Sequence, residues 1–165
     1  MSHDLYLSGG FTPEGFPGSF QAINETLRLY PPVVSVTRMA VKDFDAGNGR
    51  TIPDGAQLFV AVFPIHRDPK IYPDPLRFDP DRFSAESMAA RHPYAFIPFG
   101  IGRRMCVGYK FAYMEAKTIL STAVRRYHMR QLEGGLEGLE KNLYCSFVLT
   151  VSQGIKLKFV PREQH

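Results

Sequence analysis

Hydrophobic positions along the 165 residues change period several times, and each change predicts an element. Phe20, Ile23 and Leu27 recur at steps of three and four, which predicts a short helix from Phe20 to Tyr30. Ser19 stands where an N-cap belongs, and Pro31-Pro32 stops the helix. Val33 to Val41 is rich in β-branched residues, and Gln57 to Phe63 follows an Asp54-Gly55 turn signal. Together they predict a small antiparallel sheet, with Gly47-Asn48-Gly49 in a loop. Leu58 to Ile65 is the longest apolar run; its eight residues suit a buried strand, not a membrane span. Prolines at 64, 69, 73, 75 and 80 then exclude long regular elements. The helical period returns at Ala112, Ala116, Ile119, Ala123 and Tyr127, predicting a helix from Tyr109 to Arg126. Arg125, Arg126, His128 and Arg130 gather where the C-terminal end of its dipole favours cations. Glycines between Glu133 and Gly138 make a flexible turn. Residues 143, 145, 147, 149 and 151 alternate onto one apolar face, so Leu143 to Val151 reads as a strand in a hairpin with Ile155 to Val160. Met1 to Gly18 has neither period and reads as an irregular arm, leaving 19–165 as one α+β domain.

Composition narrows the class. A hydrophobic share of 44% with 22% charged residues is that of a globular domain with a real core. The net charge of +4 comes with arginines at 38, 67, 77, 82, 91, 103 and 104 spread through loops instead of striped along a helix. That pattern argues against a nucleic-acid surface. Two cysteines make no disulfide framework. Cys145, on the alternating strand, reads as a buried structural thiol; a bridge to Cys106 would remove Cys106 from any ligand role. His66 and His92 lack H-x-x-x-H spacing or clustered carboxylates, so zinc is not expected. No signal or transit peptide and no long apolar run is visible, which predicts no transmembrane segment and leaves the compartment open.

The chemistry concentrates at Phe99-Gly100-Ile101-Gly102-Arg103-Arg104-Met105-Cys106-Val107-Gly108. The glycines permit a tight turn with backbone close to a bulky group. Cys106 precedes a helix N-terminus, where unpaired N–H groups and the positive dipole end favour a thiolate. Arg104 adds a fixed cation suited to a carboxylate. A thiolate in a glycine-rich loop, with an arginine and the aromatic Phe99 beside it, describes an axial ligand for heme iron. The plainer reading is a loop-to-helix turn with a buried free cysteine.

The spacing is specific. Phe99, Gly102, Arg104, Cys106 and Gly108 match F-x-x-G-x-R-x-C-x-G at all five fixed positions, which resembles the heme-ligand signature of the cytochrome P-450 superfamily. Phe111-Ala112 and Glu115 look like its usual continuation, and Glu25 to Pro32 resembles the family's E-x-x-R helix. The resemblance covers roughly residues 20 to 160, the C-terminal part of such a fold. It implies heme b, with Cys106 on the iron and with Arg104 and Arg38 on the propionates; Arg38 otherwise reads as a surface arginine on a strand. Phe78 to Phe83 is similar to the P-E-R-F element with Asp81 in place of Glu, so Arg82 is expected to join Glu25 and Arg28 in a structural triad.

The family activates oxygen with a distal helix bearing an acid beside a threonine, and that helix would fall upstream of Glu25. Ala46 to Thr51 resembles the motif superficially, but lacks the acid. The resemblance therefore implies a heme-binding portion of a monooxygenase with no catalytic residue of its own, needing a protein partner that supplies or replaces the N-terminal half. Two other readings stand beside it. One is a P-450-derived accessory subunit of a larger assembly, with or without heme; the other is a heme-free interaction module.

Overall fold

A computed structural model of the chain describes residues 18–131 and 139–162. The arm expected over 1–18, Gly18 apart, and the turn expected at 133–138 lie outside the described residues. The elements run α1 (Ser19–Leu29), β1 (Val36–Met39), β2 (Phe44–Asp45), β3 (Thr51–Ile52), β4 (Gln57–Val60), α2 (Val62–Ile65), α3 (Ala85–Ala90), α4 (Tyr109–Arg126), β5 (Tyr127–Gln131), β6 (Leu143–Cys145), β7 (Leu149–Val151) and β8 (Leu157–Pro161). Helices and small two-stranded antiparallel sheets make this a mixed α+β architecture, as the resemblance implied.

Gly18, with φ of +88°, is the N-cap of α1, so Ser19 begins the helix and does not cap it. The buried face also differs from the apolar period. Phe20 is 37% exposed, while Asn24, Glu25, Arg28 and Leu29 are almost wholly buried. That stripe lies against the turn at Pro80–Phe83 and against α4. Polar groups can be buried there because each finds hydrogen-bond partners across the interface.

The first sheet forms as expected, with Val36 opposite Val60 and Met39 opposite Gln57. β2 and β3 make a hairpin of their own around Gly47-Asn48-Gly49. The apolar run after Leu58 is not a buried strand: β4 ends at Val60 and the chain turns into α2. β4 has one neighbour and alternates between exposed and half-buried positions, so Phe59 is 66% exposed and Val62 beyond it is buried.

After α4 the chain switches period at Tyr127, and His128 and Arg130 lie on β5, not at a helix end. β5 pairs with β8, Tyr127 opposite Pro161 and Gln131 opposite Leu157. The strand expected over Leu143–Val151 instead folds on itself at Ser146–Val148, bringing Cys145 opposite Leu149. Alternation marks one face only while a strand runs straight. The fold-back leaves Cys145 exposed and, like Cys106, free, so it is not a buried thiol. The core gathers Leu29, Val62, Tyr72, Phe83, Ala95, Ile97 and Val124 around the junction of α1 with the 62–97 segment. α4 turns Phe111, Met114 and Ile119 outward, each at least 60% exposed. Among the described residues no helix is long and apolar enough to cross a membrane.

Candidate functional site

The cysteine loop leaves the core at the buried Ile97, whose carbonyl accepts the Gly100 N–H at 3.0 Å. Gly100 and Gly102 take φ of +75° and +70°, where a side chain would strain the backbone. A Cβ on either would meet nothing within 4 Å, so both present bare backbone to open space. A 3-10 turn at Gly102–Arg104 follows, and the Cys106 N–H returns to the Phe99 carbonyl at 2.9 Å, closing the loop. Gly108 then caps α4, where a Cβ would stand 3.8 Å from the Cys106 sulfur. The result is an exposed thiol beside a helix N-terminus, flanked by Met105 (41% exposed) and Val107 (100% exposed).

These features fit a heme-thiolate site. The sulfur is not bridged, and bare backbone and exposed apolar side chains surround it. Phe99, Gly102, Arg104, Cys106 and Gly108 all fall within this loop. Arg104 is exposed. Arg38 is on β1, half-buried, with Nη1 donating to the Thr37 carbonyl at 2.8 Å. Two of the loop arginines do framework work: Arg67 donates to the Leu29 carbonyl at 2.7 Å, and Arg91 to the Arg82 carbonyl at 2.6 Å.

Behind the loop lies a charged knot with both principal members fully buried. Arg28 binds Glu25 through two bonds, Nε to Oε2 at 2.7 Å and Nη2 to Oε1 at 2.8 Å. Its Nη1 donates to the carbonyls of His66 and Pro75, both at 2.8 Å, and Nη2 reaches Arg77 at 3.3 Å. A guanidinium has five N–H groups, and here they meet five acceptors. Glu25 Oε1 also accepts the Asp79 N–H at 2.9 Å. Arg82 approaches the same oxygen at 3.6 Å, an ion pair without a hydrogen bond, and is held by the Pro73 and Asp74 carbonyls. The arrangement ties α1 to four points of the 66–79 segment.

Several residues of this framework had no such role assigned to them from the sequence. Tyr72, fully buried, has the guanidinium groups of Arg28 and Arg91 over its ring, 5.0 and 4.7 Å from its centre. Its hydroxyl donates to the Ala95 carbonyl at 3.0 Å. His66 accepts the Ile97 N–H on Nε2 at 2.9 Å and stacks on Phe96. Burial, with the Arg28 charge assisting, pulls its imidazole down to about 4. The Tyr113 hydroxyl donates to Asn24 at 2.6 Å, and burial pushes that phenol up to about 12. No period or spacing marks a buried imidazole or phenol, because its role depends on what covers it.

A family model described as Cytochrome P450 matches residues 20–159. The chain is 36% identical to Cytochrome P450 4c3 of Drosophila melanogaster over 141 residues, covering 86% of this chain and 26% of that protein. It is 39% identical to Cytochrome P450 4V2 of Homo sapiens over 144 residues, covering 85% and 26%. Among solved structures, the cytochrome P450DA heme domain superposes with a TM-score of 0.79 at 26% identity, covering 88% of this chain and 31% of that one. The retinoic acid bound cyanobacterial CYP120A1 gives 0.79 at 30% identity, covering 89% and 34%. The chain thus spans about a quarter of the length of the curated relatives it matches.

Proposed function

This chain belongs to the cytochrome P450 family, and on that premise we propose that it forms the thiolate side of a heme site, in which the Cys106 sulfur would hold the iron. It is a portion of a P450-type monooxygenase, and the cofactor of that family is heme b. The observation that carries the reading is the exposed, unbridged Cys106 sulfur in a loop closed by its own N–H on Phe99.

Each residue has a part in this reading. Gly100 and Gly102 would let the loop lie close to a flat macrocycle, and Gly108 caps α4 beside the sulfur. Phe99 backs the loop from the protein side. Arg104 and Arg38 would neutralise the propionates, and the Glu25–Arg28–Arg82 knot, through the Arg28 bond to the His66 carbonyl and the Ile97 N–H on His66, holds the loop's base. Bound heme with a thiolate ligand supplies oxygen activation, because the sulfur pushes electron density toward the metal.

Oxygen activation also needs a distal proton relay, and the one adjacent acid–threonine pair among the described residues, Glu25-Thr26, is committed within α1, Glu25 to Arg28 and the Thr26 hydroxyl to the Ala22 carbonyl. In the segment that superficially resembles one, Ala46 to Arg50 forms the turn of the β2–β3 hairpin and Thr51 begins β3. We therefore infer that residues 19–165 act as one unit, which does not turn over without polypeptide outside these 165 residues. The outward apolar face of α4, with Phe111, Met114 and Ile119, supports such a covering partner.

The test is spectroscopic. The purified chain mixed with hemin, reduced and exposed to carbon monoxide should show the thiolate-type Soret band. Cys106→Ser should abolish that band, and an unchanged spectrum would assign the iron to another ligand.

A further inference from the structure

Two neighbouring residues of α1 point to two different tasks. Glu25 enters the charged knot, while Asn24, 1% exposed, reaches across to α4 and accepts the Tyr113 hydroxyl. On α4, Tyr109 and Tyr113 are four apart and so share a face, and both rings lie against Phe99, 6.4 and 5.3 Å between centres. Phe20 of α1 covers Tyr113 on another side at 5.5 Å. Phe99 is also the residue whose carbonyl accepts the Cys106 N–H.

We propose that Tyr113 is a positioning residue for the Cys106 loop, its hydroxyl pinned by Asn24 and its ring fixing Phe99 so that the Phe99 carbonyl meets the Cys106 amide. What the loop holds rests on the heme reading above, but the positioning does not. The chain of contacts is continuous: Asn24 fixes the phenol, the phenol fixes the ring plane, and the ring sets the residue that closes the loop. A phenol with its pKa raised by burial remains a donor throughout the neutral range. Replacing Tyr113 with phenylalanine keeps the ring but strands the buried Asn24 oxygen, whose desolvation is then uncompensated.

The experiment measures amide exchange by NMR in the heme-free 165-residue chain. Tyr113→Phe should accelerate exchange of the Cys106 amide about fivefold, the effect of one net hydrogen bond on a local opening. The Ala40 amide, bonded to the Ala56 carbonyl at 2.9 Å beside the β1–β4 sheet, should be unchanged. An unchanged Cys106 rate overturns the proposal. Equal acceleration at Cys106 and Ala40 also overturns it, since that reports general loosening. A Cys106-specific acceleration in a chain that gives no thiolate-type Soret band would support the positioning role while refuting the heme reading.

Discussion

Acid should unlock this fold through His66. In the folded chain the imidazole is fully buried, accepts the Ile97 N–H, and has its carbonyl on Arg28. Protonation would convert the accepting Nε2 into a donor facing another donor, next to the Arg28 cation and with Glu25 already committed to Arg28. The folded pKa of about 4 lies below the ordinary 6.5, so the unfolded chain binds more protons between those values. Stability from this group is therefore full above pH 6.5 and is lost as pH falls toward 4. At 1.36 kcal/mol per unit, the loss is about 2 kcal/mol by pH 5 and about 3 kcal/mol by pH 4. Urea unfolding at pH 7.5, 6 and 5 measures it, with His66→Gln as the reference, since glutamine keeps an acceptor but does not titrate. The wild type should lose about 2 kcal/mol more than His66→Gln between pH 7.5 and 5. Equal losses in the two chains would refute the reasoning, because other carboxylates and histidines titrate alike in both.

Two further expectations concern the arginines. Arg28→Ala should destabilise the chain by about 3 kcal/mol, the low end for breaking a buried pair, because Glu25 keeps Arg82 and the Asp79 N–H. In urea unfolding Arg103→Ala, an exposed control, should stay within about 0.5 kcal/mol, and a similarly small loss for Arg28→Ala would show that the knot holds nothing. Arg104→Ala should weaken hemin binding at least about tenfold in a spectroscopic titration while leaving unfolding unchanged, as expected for one charge-assisted bond. Unaltered hemin affinity would deny Arg104 a propionate role.

The cysteine loop was legible because everything it needs is local. Five fixed positions within ten residues prescribe a turn that glycine alone tolerates, a sulfur at a helix start and a cation two residues away. The start and end of α4 were legible for the same reason, since Gly108 and the change of period at Tyr127 act over single turns. The E-x-x-R spacing placed Glu25 and Arg28 on one helix face, but spacing does not say whether a pair is exposed or sunk.

What required the tertiary structure was every property set by what lies opposite. The apolar stripe of α1 leaves Phe20 more than a third exposed, while its polar stripe is buried, because the 62–97 segment supplies carbonyls to match the guanidinium. The 143–151 alternation divides into two strands, and β8 goes to β5 instead, since pairing depends on which edge is within reach. His66 and Tyr113 became interpretable only once their covers were known, because desolvation is a property of surroundings and not of residue type. By itself the sequence determined the backbone of the ligand loop, since dihedral preferences and helix dipoles act within a few residues. Burial, strand partnership and shifted protonation were decided by the fold, since each depends on atoms far away along the chain.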